Sequence, residues 1–521
     1  MVKSKLVAWL HQTSPPMATS SNEERRRQTV RHTVDLPASL PEIKRHKQKL
    51  QREELPSSNN NSRIANSQRK NNTPTTMASS KMIALAQKIT SETEKVEAYF
   101  KVNGLVTPSF DAHAPGDFPF MPDDISRSRR EVIQATEELH DLMVGPRESI
   151  RWMAWDFMNT QSLQLLNHFG IPALVPLDGS ITLSELQAKT SLDPINLARV
   201  LRHAMTNHVF QELKPGVIAH TAASRLLAED QELQSWVIFN TEGVYPASAQ
   251  VINALKAYPE ATNLTRTGFN FAFNTVNLEP MFVTIGKDPK RAGRMAQAMS
   301  SLTGGEGYEL WYLSEGCDLT DVNARGGTMV DVGGSHGFVD VHLAKVYNNI
   351  KFVVQDLPST VESAPKPICA DAKISKRIQF QAHDFFKEQP IRGADVYFFR
   401  WIMHNYSTPY AVQILRNLIP ALKPGARIII NDHCLREPGT ENPWDERLIR
   451  SMDLVMLSLL NAQERGEEDF KQLFKIAGDG FVFKGVTRPK GCRMSIIEAV
   501  WKPDEVDQTM VTENLSELTL T

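Results

Sequence analysis

From Gly326 onward the chain alternates between short apolar, β-branched runs and stretches with a helical period, and no other feature limits its folding as tightly. Strands are predicted over Thr328 to Val332, Lys351 to Gln355, Ile378 to Ala382, Ala394 to Phe399 and Ala426 to Asn431. A helix from Pro409 to Leu422 is opened by Ser407-Thr408-Pro409 and stopped by Lys423-Pro424-Gly425. Alternation of this kind builds a doubly wound α/β sheet, because each parallel strand needs a helical crossover to reach the next. The run Phe481 to Thr487, the turn Arg488 to Gly491 and the run Cys492 to Val500 then read as a closing hairpin.

The first strand of the series runs into glycines, as Thr328-Met-Val-Asp-Val-Gly-Gly-Ser-His-Gly337, and then into the helical stretch Phe338 to Tyr347. Glycine lets a backbone turn sharply and approach a ligand, since it has no Cβ in the way. The next strand ends about twenty residues on in Asp356, where an acid at a strand tip grips the two hydroxyls of a ribose. An adenosine-bearing ligand fits this pair of signals. The bland alternative is a βα turn that binds nothing.

Chain length and composition bound the rest. The 521 residues are enough for two or three domains, and the 41% hydrophobic content is that of a soluble globular chain. A net charge of −2 argues against nucleic acid or an anionic membrane as partner, and no membrane span is visible. Cys317, Cys369, Cys434 and Cys492 are scattered, so neither a disulfide framework nor a metal cluster is indicated and a reducing, cytoplasmic setting fits. Residues 1–80 are polar, basic and low in complexity, which predicts disorder; their acids, among them Glu23, Glu24 and Asp35, speak against a transit peptide. Residues 504–521 read as a flexible tail.

Between these ends, residues 81–300 are mainly helical. The stretch from Lys81 to Val144 is helical on either side of a loop forced by Pro108, Pro115, Pro119 and Pro122, and its apolar faces are expected to pack across a homodimer or back onto the chain. Arg151 to Phe169 reads as one apolar helix. Thr182-Leu-Ser-Glu185 is a capping box, Asp193-Pro194 an N-cap with proline at the first helical position, and His208 to Thr221 a small hairpin. That order is a winged-helix pattern, but Arg199, Arg202 and Asn196 alone make a poor DNA-reading face, so a scaffold is expected. Glu232 to Leu302 reads as helical and rich in Phe and Met, most of it core, with a few side chains facing a flat apolar substrate.

The second half, roughly residues 300 to 503, resembles the S-adenosylmethionine-dependent O-methyltransferases of the caffeic acid type, and their fungal secondary-metabolism branch in particular. The stretches that carry the resemblance are Val330 to Gly337, Gln355-Asp-Leu-Pro358, His383-Asp-Phe-Phe386, Phe399 to Tyr406, Leu422-Lys-Pro-Gly425 and Glu464-Arg465. The terminal hairpin agrees, because class I methyltransferases lay one on five parallel strands. The resemblance implies a Rossmann-like domain with a mixed seven-stranded sheet over 301–503, preceded by a mainly α winged-helix dimerisation domain. It also implies S-adenosyl-L-methionine as cofactor, with Asp331, Gly333 and Gly334 facing its methionine part, Asp356 and Leu357 its ribose, Asp384 and Phe385 its adenine, and Arg400 the far side of the pocket. Ser335, His336, Arg400 and Asn405 depart from the commoner family pattern.

Methyl transfer from a sulfonium needs alignment of donor and acceptor and removal of a phenolic proton, for which a histidine suits. His404 follows the fourth strand at its carboxyl end, and the resemblance implies that it is the base, supported by Asp432 and Glu464. Met295, Met299, Trp401, Met452, Met456 and Asn461 are expected to hold a small aromatic substrate, each with plain core as its alternative. No metal is called for. The competing readings are an NAD-dependent oxidoreductase, sharing the glycine turn and the ribose acid, and a regulator that keeps the fold without catalysis.

Overall fold

The computed structural model describes residues 80–503; the extension and tail expected to be disordered and flexible lie outside the described residues. The second half is a seven-stranded mixed sheet. Its strands are β4 (Thr328–Val332), β5 (Lys351–Asp356), β6 (Ile378–Ala382), β7 (Val396–Arg400), β8 (Arg427–Asp432), β11 (Phe481–Thr487) and β12 (Ser495–Trp501); β9 (Cys434–Leu435) and β10 (Arg465–Gly466) pair in a small sheet of their own, and three earlier strands form another in the first half. The order is β11-β12-β8-β7-β4-β5-β6. The five strands from β8 to β6 are parallel, and β12 inserts antiparallel between β8 and β11. The expected strands are present with ends moved by one or two residues, and the terminal hairpin is the expected one.

Burial explains why these runs are apolar throughout. Along β7, Tyr397 and Phe399 enter the core on one face of the sheet while Val396 and Phe398 enter the core on the other. Successive side chains of a strand point to opposite faces, so a strand covered by helices on both sides has no polar position to spare. The helices Thr408–Leu418 and Glu467–Ala477 cover the first face, and Phe338–Val346 covers the second.

In the first half, the helices Lys81–Val102 and Asp123–Val144 run antiparallel, joined by the ion pairs Lys81–Glu138 and Lys88–Glu131. This hairpin docks back onto the same chain through polar contacts: Arg129 to Glu306 at 2.7 Å, Asn442 to Gln134 at 3.1 Å and Arg447 to Glu137 at 3.3 Å. Its apolar end, with the next helix, stays outside: Leu142, Met143, Ile150, Trp152, Met153 and Trp155 are exposed.

The capping box is real, with the Glu185 amide donating to Thr182 Oγ1 at 3.2 Å and the Thr182 amide to Glu185 Oε2 at 2.9 Å. Asp193 caps Pro194–Met205 by accepting from the amides of Ile195 and Asn196. Beside these helices lies a small antiparallel sheet of order β1-β3-β2, made of β1 (Ile181–Thr182), β2 (Gln211–Lys214) and β3 (Val217–Ala219). Arg202, one of the few basic residues of the second helix, is bound on two nitrogens by Glu212 of β2.

Two helical expectations change. Arg151 to Phe169 is two helices, Pro146–Met153 and Phe157–His168, because the backbone tightens to i→i+3 bonds at Trp155 and Asp156. Trp152, Met153, Trp155, Phe157 and Met158 are all exposed there, so no packed face holds the turn in α geometry. Glu232 to Leu302 is broken by irregular segments around Pro259 to Arg266 and Phe273 to Glu279, where Ala261, Asn274 and Asn277 take positive φ.

The two halves meet closely at one crossing. The helices Tyr245–Ala257 and Gly268–Ala272 pack against Pro443–Leu460, and a Cβ at Gly268 would run into the carbonyl oxygen of Ala247 and come within 3.1 Å of that of Ser458. Only glycine permits this approach. Among the described residues no helix is long and apolar enough to cross a membrane.

Candidate active site

The carboxyl ends of the parallel strands bring the candidate residues to one edge of the sheet. β4 passes directly into Gly333, whose φ of 81° is in the left-handed region. A Cβ at Gly333 would lie 2.6 Å from Ile402 Cδ1 and 3.7 Å from Phe385 Cε1, so the turn after β4, the loop after β6 and the loop after β7 close on the same small space. That cradle, with an acid on the tip of β5, fits a nucleoside-bearing cofactor. Asp356 is fixed there by the Ser335 amide on Oδ2 at 2.9 Å and the Leu357 amide on Oδ1 at 2.8 Å. Asp384 accepts from the Phe386 amide at 3.0 Å, which orients the loop that carries Phe385. Arg400 donates to Asn431 Oδ1 and, at 3.1 Å, to the carbonyl of Tyr308, so its guanidinium anchors the Tyr308 segment to the sheet edge. Of the departures from the family pattern, Ser335 adopts a φ of 53°, His336 meets Ser363 Oγ at 3.0 Å, and Asn405 donates to the Trp401 carbonyl at 2.9 Å.

Beneath the glycine turn two carboxyl groups are shut away from water. Asp331 and Asp340 are both fully buried, and a Cβ at Gly334 would strike the Asp331 carboxylate. Burial pushes Asp331 up to about 7, and burial together with the charge of Asp331 holds Asp340 well above the ordinary range.

The base and its supports come from three segments. His404 lies in a 3₁₀ turn, Met403–Asn405, that follows β7 after Trp401, itself at a φ of 58°. Its amide donates to Asp432 Oδ2 at 3.1 Å, and its Nδ1–H donates to Glu464 Oε1 at 2.9 Å, which leaves Nε2 as the acceptor of the ring. Glu464 is placed in turn by its amide donating to Asp453 Oδ1 at 2.8 Å. Burial opposes charge on the His404 ring, but the Glu464 carboxylate outweighs it and raises the imidazole above its ordinary value. Burial likewise acts to raise Glu464, yet the charge and hydrogen bond of His404 hold it down to about 2. Asp432 is raised, by burial first. The three sequence-predicted catalytic residues thus form one buried cluster at the carboxyl edge.

On the substrate side, Trp401 stands beside the base with ring centroids 5.0 Å apart, and its indole N–H is buried without a partner. Met295 and Met456 are buried in the core cluster that also holds Met403, while Met299 and Met452 are half-buried. Asn461 has its amide nitrogen committed to the carbonyls of Asn263 and Arg266, at 2.8 and 3.2 Å, so it ties the helix end to the first half.

Three further residues complete the cluster. Arg465 carries no signal in the sequence beyond its place in the Glu464-Arg465 motif, yet its buried guanidinium donates to the carbonyls of Met403 and Tyr406, both at 2.7 Å, clamping the turn on either side of His404. His433 stands next to Glu464, and Tyr308 next to His433. Strand alternation sends His433 to the face opposite Asp432, and only the end of β8 at Asp432 lets both reach one cluster. Among the described residues no group of three or more His, Cys, Asp or Glu side chains is placed to hold a metal ion.

A parallel sheet with an antiparallel closing hairpin, a glycine cradle and acidic strand tips define a class I methyltransferase, whose cofactor is S-adenosylmethionine. Residues 262–481 match the model of the O-methyltransferase domain family. The chain is 57% identical to the chlorophenol O-methyltransferase of Trichoderma longibrachiatum, over 82% of this chain and 92% of that protein. It is 36% identical to the grayanic acid biosynthesis cluster O-methyltransferase of Cladonia grayi, over 82% and 89%. Among solved structures, OxaC in complex with SAH and oxaline superimposes with a TM-score of 0.63 at 25% identity, covering 81% of this chain and 100% of that one. The protein belongs to the S-adenosylmethionine-dependent O-methyltransferases, in their fungal secondary-metabolism branch.

Proposed function

We propose that the protein methylates a phenolic hydroxyl of a small aromatic molecule, a polyketide or related metabolite or a chlorinated phenol, with His404 as the base. The observation that carries this reading is the 2.9 Å bond from His404 Nδ1 to the buried Glu464 carboxylate, which turns Nε2 into an acceptor at the sheet edge beside the glycine cradle. The similarity to a chlorophenol O-methyltransferase supports the phenol. The bound cofactor supplies an activated methyl group on a sulfonium. Gly333, Gly334, Asp356, Leu357, Asp384, Phe385 and Arg400 would hold it, while Asp331, expected from the sequence to face it, is buried beneath the glycine turn and supports that turn instead; Met295, Met299, Trp401, Met452, Met456 and Asn461 would frame the acceptor ring. His404 Nε2 would take the proton of the phenolic oxygen that accepts the methyl group, so that the ether product leaves uncharged and the proton rests on the imidazole. Glu464 stabilises the imidazolium that results, and Asp432 and Arg465 keep the turn in place.

The assay follows from the chemistry. Purified enzyme with S-adenosylmethionine and a panel of chlorophenols and polyketide phenols should give methyl ethers by mass spectrometry, with no loss on adding a chelator. Products on carbon or nitrogen, or none, would overturn the reading. Calorimetry with S-adenosylhomocysteine and with NAD separates the oxidoreductase alternative, since only the first should bind in the micromolar range.

We also propose that two copies pair through the exposed apolar surface around Trp152 and Trp155, which are 58% and 64% exposed. Trp152 and Met153 end one helix, Met158 lies in the first turn of the next and Trp155 in the turn between them, all exposed in the described chain, and a patch of that kind is a self-association surface. The free cysteines, two of them buried, support a reducing, cytoplasmic setting.

A further inference from the structure

Glu464 has a second imidazole beside it. His433, fully buried, places Nδ1 3.6 Å from the same Oε1 atom that binds His404, and that Nδ1 has no hydrogen-bond partner. Its Nε2 is 3.2 Å from the hydroxyl of Tyr308, which is buried as well. A neutral imidazole carries one proton, and its position is set by whichever neighbour can donate or accept. A phenol beside Nε2 donates to it and so confines the ring proton to Nδ1, on the Glu464 side. Burial, first of all, pushes Tyr308 up to about 12, so it remains a donor throughout the working range.

We propose that Tyr308 and His433 are positioning residues for methyl transfer: the Tyr308 hydroxyl fixes the His433 proton on Nδ1, and this N–H shares Glu464 Oε1 with His404. The carboxylate is thus held between two rings, and its negative charge on the base is divided. The inference rests on His404 being the base. The other charged groups around the cluster are Asp432 at the end of β8, Asp453 behind the Glu464 amide, Arg465 beneath the turn, and Arg400, which donates to the Tyr308 carbonyl. Arg493, beside Asp445, lies over the Tyr308 ring.

A filler of space and a setter of basicity respond differently to substitution. His433→Leu removes the N–H, so the whole Glu464 charge falls on His404, whose conjugate acid is then better stabilised. His433→Asn keeps an N–H close to the position of Nδ1, and Tyr308→Phe frees the His433 proton to leave it. The experiment labels histidine at Cε1 and follows the rings by NMR between about pH 5 and 9 in the complex with S-adenosylhomocysteine, with His404→Gln to assign the His404 signal. Expected is an upward move of the His404 midpoint by about half a unit or more in His433→Leu, a smaller one in Tyr308→Phe, and a near wild-type midpoint in His433→Asn. The acid limb of turnover should move with it. An unmoved His404 midpoint in both His433→Leu and Tyr308→Phe overturns the proposal, as does an asparagine variant that behaves like leucine. Should His433→Leu fail to fold, Tyr308→Phe, at the edge of the cluster, decides alone. The titration is read without acceptor, so an enzyme that methylates no phenol would sink the functional reading while leaving this result to be judged separately.

Discussion

His404 combines two demands that pull against each other. The Glu464 carboxylate that orients it also raises its basicity, and a base that is already protonated accepts nothing. Turnover in the wild type should therefore climb as pH rises through a midpoint above the ordinary histidine value of 6.5. His404→Gln keeps a polar group of similar reach but no basic nitrogen, and should lose about a hundredfold or more in turnover with S-adenosylhomocysteine affinity little changed. Raising the pH toward the phenol's own value, near 10, should restore part of it. Near-normal turnover of that variant at about pH 7 would remove His404 from the chemistry.

Asp340 makes the opposite case, an acid with no evident task. It and Asp331 are raised in the folded state, so their contribution to stability is complete below their unfolded value of 3.8 and is lost as pH climbs through the folded values, about 7 for Asp331. Asp340→Asn should leave the melting temperature nearly unchanged at about pH 4, close to the unfolded value, and raise it by a few degrees at about pH 8. A variant less stable than wild type at the higher pH would show that the charge is wanted there. At this scale the sequence marks His404 by strand end and motif, whereas the bond from His404 to Glu464 and the clamp by Arg465 join residues some sixty positions apart and are visible only in the fold.

Elements with strong local rules were legible. The capping box at Thr182, the cap at Asp193 and the strands of the sheet stand within a residue or two of where pattern places them, because each is decided by neighbours along the chain. The helices of the first half were less so. Their breaks near Trp155 and in the Asn-rich segments 259–280 come from missing packing and from local asparagine turns, which a count of apolar residues overlooks. The glycine turn yields a prediction of its own. Gly334→Ala places a methyl group against the Asp331 carboxylate and 2.9 Å from Val354 Cγ1, so the turn must shift. Calorimetry should show S-adenosylhomocysteine binding weakened by about tenfold or more, and unchanged binding would take this turn out of the cofactor site.

For the whole molecule the open surface is that of Trp152 and Trp155. If a second copy covers it, light scattering after size exclusion should give twice the chain mass, and the double variant Trp152→Ser, Trp155→Ser should run as a monomer with its sheet intact by circular dichroism. A wild type that is monomeric at micromolar concentration would refute pairing. Chemistry and pairing draw on different halves, so the monomer should still bind S-adenosylhomocysteine.

Gly268 sets the spacing between those halves, since there a single hydrogen atom is all that the backbones of Ala247 and Ser458 admit. Its consequence is historical as much as mechanical. A joint that cannot be loosened keeps the span from the helical half to the base constant, so a change of acceptor is expected to come from side chains exchanged across a fixed gap, not from opening or closing it. An attempt to retrain the enzyme for a bulkier phenol should begin with Met299 and Met452, which retain some exposure, and leave position 268 alone.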